Sequence, residues 1–329
     1  MLGVCLAALS AATFAFNNAS ARRGVLTGSV LQALAVTVPI GVPIFLLAVL
    51  ATGNLATLSG FSAGAIALLA LAGVLHFVVG RYGNFRAAQA IGNNLSAPVI
   101  QLGLVVSLAC AILVLKEVLT PLRMLGIALL ALGPVLMRNA ELPEATAVAA
   151  PDAALPKFVP RYAEGYAFAL VAAAVYGATP VLIRLGVVAG DLGSGLVGGL
   201  ISYAAAALAV ALLLLWPGRL QHALAITPQS LKWFTFSGIS VCIAQMFVYM
   251  AFTVAPVSVV MPVLQLHLAL RFWLARVLNP QHELFGSRML LGTAVSLLGA
   301  LAISLDSEFF LSLIALPPPV AAVVRWHWP

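Results

Sequence analysis

Arg81 stands among apolar residues, where inserting a cation costs about 2.5–3.5 kcal/mol and the charge therefore belongs against protein or a watered cavity. A guanidinium so placed can hold a carboxylate or phosphate through two parallel hydrogen bonds. The competing role is an arginine that reaches the lipid headgroups along its own apolar stem. Gln101 and Gln265 each follow a proline by three residues, so Pro98 and Gln101 share a helical face, as do Pro262 and Gln265. A proline frees a carbonyl one turn earlier, and that carbonyl with the amide can hold cargo or bind a neighbouring helix. Both readings stand. His267 and Arg271 are i, i+4 neighbours on a face turned away from Gln265. His267 could exchange a proton near neutral pH and make the proton a coupling ion; the alternative is a packed, hydrogen-bonded imidazole. Asn17 and Asn18 close the first apolar segment, and Tyr176 and Thr179 fall at the matching place in the sixth. These are candidate gate contacts, with helix capping as the other role for Asn18.

What is missing narrows the chemistry. The nine acidic residues (Glu117, Glu141, Glu144, Asp152, Glu164, Asp191, Glu283, Asp306 and Glu308) all fall at expected helix ends or in loops. The five histidines are scattered, and Cys5, Cys110 and Cys242 have neither metal-ligand nor disulfide spacing. No nucleophile–base or metal constellation is present, so an enzyme is not expected, nor a cofactor or a bound metal. The net charge of +7 comes from 16 Lys and Arg with no run longer than Arg22-Arg23, without the clustered basic face that nucleic-acid binding needs.

The segments that must position these groups are membrane spans. The 329 residues are 63% hydrophobic and 8% charged, against roughly 25% charged in a soluble domain; the solvent is a lipid bilayer. A hydrocarbon core of about 30 Å takes about 20 apolar residues in helix. That window gives ten spans, near 2–21, 30–52, 64–86, 95–115 and 121–138, then 164–186, 194–216, 231–253, 257–277 and 286–305. Residues 139–163, rich in Ala and Pro, form a linker, and 306–329 form a tail.

The two sets of five align with each other. A shift of 162 places Arg22-Arg23-Gly24 on Arg184-Leu185-Gly186 and Phe14 on Tyr176. A shift of 164 places Pro98 on Pro262, Gln101 on Gln265 and Arg81 on Gln245, which lies well inside an apolar span. A shift of 166 places Glu117 on Glu283, Gly126 on Gly292 and Gly133 on Gly299. Five is odd, so the second unit enters the membrane from the opposite side and the repeats are inverted, with a site expected near the midplane between them. Gly126 with Gly133, and Gly292 with Gly299, are seven apart on one helical stripe and read as close helix packing.

The run small-Pro-x-x-Gln, Lys116-Glu117, Leu125-Gly126 and Gly133, repeated by Pro262, Glu283, Gly292 and Gly299, resembles the EamA-type repeat of the drug/metabolite transporter superfamily. The resemblance implies an all-α integral membrane carrier of ten transmembrane helices in two inverted five-helix repeats, 1–138 and 164–305. It implies export of small metabolites or drugs across the cell membrane, by a monomer or homodimer. The first helix lacks the carboxylate that small multidrug-resistance relatives use for cationic drugs, and the interior holds bases instead. The expected cargo is therefore acidic or zwitterionic, bound by Arg81, Gln101, Gln245, Gln265, Tyr176 and Asn17. A lipid flippase or a cationic-drug exporter of the same fold is the alternative.

Overall fold

The structure, a computed structural model, describes residues 2–115, 120–137, 159–264, 266–278, 287–304 and 317–326. Gln265, the Lys116-Glu117 and Asn279–Glu283 motifs, most of the expected linker and residues 305–316 of the tail lie outside the described residues. In chain order the helices are α1 (Leu2–Thr27), α2 (Val30–Thr37), α3 (Gly41–Ala51), α4 (Ala63–Gly73), α5 (Arg81–Ile100), α6 (Gly103–Leu115), α7 (Pro121–Met137), α8 (Tyr162–Gly186), α9 (Leu192–Leu214), α10 (Arg219–Leu224), α11 (Pro228–Val254), α12 (Val257–Leu264), α13 (His267–Leu278), α14 (Ser287–Ser304) and α15 (Pro318–Arg325). A 3₁₀ turn covers Asn54–Gly60, a π-helical segment Val74–Gly80 joins α4 to α5, and no strand occurs among the described residues.

Seven helical stretches among the described residues are long and apolar enough to cross a bilayer: Leu2–Thr27, Val30–Ala51, Ala63–Asn93, Leu95–Val114, Tyr162–Gly186, Leu192–Leu214 and Pro228–Val254. The helices over the other three expected spans, α7, α12 with α13, and α14, are shorter or interrupted. The polarity is inside out. Leu208, Leu212 and Leu215 of the α9 end are more than half exposed, whereas Ser10, Arg22, Gln32, Arg81 and Gln245 are buried. A bilayer rewards that arrangement, because lipid tails cover leucine while polar groups must find partners inside.

Helix breaks follow from particular residues. Pro39 and Pro43 have no N–H to donate, so between α2 and α3 the chain closes three-residue turns. There Gly41 N–H donates to Val38 O and Val42 N–H to Pro39 O, each at 3.1 Å. The Thr37 carbonyl thereby loses its usual i+4 donor, Gly41. Gly92, at φ 78° and ψ 163°, takes a conformation open essentially to glycine alone and separates the third span from the fourth. In the second half Pro256 stands at the corresponding join, between α11 and α12. The Pro-x-x-Gln motifs also mark breaks: α5 ends at Ile100 and α6 starts at Gly103, while α12 ends at Leu264 and α13 starts at His267. The same tight bond closes both, Leu102 N–H to Val99 O at 3.0 Å and Leu266 N–H to Val263 O at 3.1 Å.

α1 runs six residues beyond the expected limit of 21, so Asn17 and Asn18 lie inside a helix rather than at its end. It continues because its polar residues find protein: Ser20 and Arg22 are fully buried.

Helices related by the sequence shifts make matching contacts. α1 lies on α11, and its counterpart α8 lies on α5 and α4; α1 also packs on α13 as α8 packs on α6. α3 meets α9 and α7 meets α14, each pairing a helix with its own counterpart. Gly126 of α7 and Gly292 and Gly299 of α14 are buried. Individual contacts repeat too. Gly3 abuts Ala255, and Gly165 abuts Ile91; an added Cβ would lie 2.5 Å from the neighbour in both cases. Arg22 Nη1 donates to Ala88 O, and Arg184 Nη1 donates to Phe252 O at 2.6 Å. The 162- and 164-residue shifts of the sequence carry each contact onto its mate. Pro256 cannot donate to Phe252 O, so the arginine supplies a donor in its place and sets a cation at the negative end of α11. Arg184→Leu is expected to lower stability by about 1–3 kcal/mol through the stranded carbonyl, read as a lower melting temperature in detergent.

Candidate functional site

A cavity of about 160 Å³ lies at the centre, between the two halves. α1 contributes Phe14, Asn17 and Asn18, and the π segment with α5 contributes His76, Arg81, Asn84, Phe85 and Gln101. α8 adds Tyr176 and Thr179, α11 adds Gln245, and His267 enters from the first residue of α13. Asn17, Arg81, Gln101, Tyr176, Gln245 and His267 of the nominated residues thus line one space. Gln265 lies outside the described residues, and for Arg271 only the backbone is described, within α13. Pro98 sits inside α5, one turn before the helix break at Gln101.

The Arg81 side chain is 4% exposed and held on neutral partners. Nη1 donates to the Thr37 carbonyl at 3.0 Å, and Nη2 donates to the Tyr203 hydroxyl at 3.3 Å. The Thr37 carbonyl is available because of the proline break in the second span. The guanidinium also lies 5.1 Å from the Phe77 ring centroid and 6.0 Å from that of Tyr203. Those rings stack at 3.9 Å and form a rigid floor with Phe45. Aromatic faces stabilise a desolvated cation by about 2 kcal/mol or more, and no carboxylate pairs with it among the described residues. Of the five N–H donors of a guanidinium, two are taken by the partners above, which leaves donors for whatever enters the cavity.

His76 is the residue that sequence spacing misses. Its Nδ1 lies 3.0 Å from Thr179 Oγ1, its Nε2 lies 2.9 Å from Gln245 Nε2, and its ring rests 4.6 Å from that of Tyr176. In a regular α-helix residues 76 and 81 would point well apart. The π segment changes this, since Arg81 N–H donates to His76 O, five residues back, and the wider turn brings both side chains to one side. Asn84, one α-turn beyond Arg81, joins them.

Arg86 of α5 contacts Glu164 of α8 at 2.5 Å and donates to Gln89 Oε1 at 2.8 Å. Arg161 reaches the same carboxylate at 3.2 Å. His267 Nδ1 donates to Leu264 O at 2.6 Å, bridging the break between α12 and α13.

Long helices that expose leucine and bury arginine, gathered around a largely apolar cavity with polar groups set into its wall, define a multi-pass membrane protein. Residues 1–139 match the model of the EamA-like transporter family, and over that stretch the chain is similar to it. A comparison with curated proteins gives no significant match. A crystal structure of another protein, 18% identical, superposes with a TM-score of 0.58 over 92% of this chain and 94% of that one. That likeness shows the fold alone.

Proposed function

We propose that the protein is a secondary carrier that exports a small acidic or zwitterionic metabolite across the cell membrane by alternating access. Residues 1–138 and 164–305 act as two inverted five-helix repeats whose exchange of conformations opens the cavity to one side and then the other. The exchangeable packing of α1 on α11 and α8 on α5, with the paired arginine clasps, supports this reading. Gly126, Gly292 and Gly299, buried in α7 and α14, suit the close approach of that pair, and Pro98 and Pro262 stand just before the helix breaks that act as hinges.

The single observation that carries the cargo class is Arg81: a buried cation facing the cavity with neutral partners only. The site lacks the negative charge that would attract a cationic drug, since no acid among the described residues lines it. Phe14, Phe85 and Tyr176 give the rest of the wall an apolar and aromatic character suited to a small organic body. Thermal unfolding of the purified protein against matched panels of organic acids, amino acids and quaternary amines tests this, because a bound ligand raises stability by mass action. Acids or amino acids should raise the melting temperature and cations should not. A shift confined to cations sinks the proposal.

A further inference from the structure

We propose that His76 takes up one proton when an anion binds at Arg81, so that proton and anion cross together. This rests on the reading above that the cavity holds an anion.

The bonding around His76 suits a neutral ring. An amide nitrogen can only donate, so Gln245 Nε2 donates to His76 Nε2, which must be an unprotonated acceptor. The ring proton is then on Nδ1 and is donated to Thr179 Oγ1, whose own hydroxyl points to the Tyr176 carbonyl at 3.4 Å. The chain is complete and the imidazole is neutral. Both partners also tolerate the other charge state. A proton arriving from water adds an N–H bond at Nε2, and Gln245 then turns its amide so that Oε1 accepts from it. Thr179 goes on accepting from Nδ1. Leucine or lysine at 245 could not serve both states.

The neighbourhood of the ring is cationic. Arg81 is charged and one π-turn away, and two cations in a water-poor site repel strongly. The other titratable groups on the surrounding elements are Tyr176 of α8, Tyr203 of α9, Cys242 of α11 and His267 of α13, and no carboxylate among the described residues joins them. An anion on the free donors of Arg81 supplies the missing negative charge, and proton and anion then strengthen each other's binding. His76, Thr179 and Gln245 come from three helices of both halves, so the protonation step reorganises a contact that spans the moving parts.

Titration calorimetry of the detergent-solubilised protein with benzoate, in buffer pairs of low and high ionisation enthalpy between pH 5 and 8, reads the proton directly. Wild type should take up at most about one proton per benzoate, within the range where imidazole titrates. Its affinity should rise up to about tenfold for each pH unit lowered, as linkage requires. His76→Asn should bind without proton uptake. Benzoate binding that depends on Arg81 but shows no buffer dependence in wild type overturns the proton site and leaves the anion site standing. Uptake kept by His76→Asn and lost in His267→Asn overturns it as well. Benzoate binding that is absent, or indifferent to Arg81→Gln, removes the anion reading and this inference with it.

Discussion

Arg81→Gln is expected to weaken binding of a carboxylate cargo by roughly 10- to 150-fold, the range set by losing a charged hydrogen bond worth about 1.5–3 kcal/mol. Glutamine is the informative replacement, because Gln245 occupies the corresponding place in the other half and lines the same cavity. A shorter, neutral amide is therefore accommodated at that helix position. It gives up the charge, the Nη1 bond to the Thr37 carbonyl and the attraction of the Phe77 and Tyr203 rings. Stability should change little, since a buried unpaired charge is itself costly, while affinity for an acid should fall and affinity for a neutral analogue should not. Equilibrium binding of both ligands to both proteins separates the outcomes. Equal affinity of wild type and variant for the acid would remove Arg81 from the site.

The second large effect is on folding. At Gly73 the third span touches the seventh backbone to backbone: an added Cβ would sit 2.1 Å from the Ser202 carbonyl oxygen and 2.7 Å from its Cα. Ser202 Oγ fastens the same crossing by donating to Leu69 O at 2.7 Å. No side chain can swing aside, so one whole helix must move. Gly73→Ala is expected to cost about 3 kcal/mol, the upper part of the usual overpacking range, and to reduce the folded yield sharply. Gly60→Ala is the control, with nothing within 4 Å of its added Cβ and an expected change within about 0.5 kcal/mol. Thermal unfolding and monodispersity in detergent compare the two. Similar behaviour of both variants would mean that α4 and α9 do not cross at Gly73.

The Gly73 crossing also shows where sequence reading stops. Of the glycines nominated from sequence, those of α7 and α14 follow a seven-residue stripe, which a helical repeat exposes without any tertiary knowledge. Gly73 and Gly80 also stand seven apart, yet that spacing says nothing of what Gly73 meets. Its importance arises from one point of approach between segments more than a hundred residues apart, and only packing creates that point. Arg81 and Gln245 were legible for a different reason: each is a polar residue in an apolar run, and the 164-residue shift places one on the other.

His76 was as polar as they are, yet helical spacing put it on another face. The π segment Val74–Gly80 reverses that placement, and a bulge of this kind has no signature in residue type or period. The length of α1 was misjudged on related grounds, since a window of apolar residues ends where Ser20, Arg22 and Arg23 begin. In the fold Arg22 is covered completely and bonded to the Ala88 carbonyl, one turn before the Gly92 break in α5, so the helix continues.

The amino-acid sequence by itself determined the solvent, the proline-marked breaks and the sign of the interior charge, because composition and periodic spacing are local properties that survive without coordinates. Tertiary structure alone decided which polar groups share the cavity, which carbonyls the arginines cap and where two backbones touch. Those outcomes depend on local departures from the regular helix and on packing between distant segments, which no one-dimensional pattern encodes.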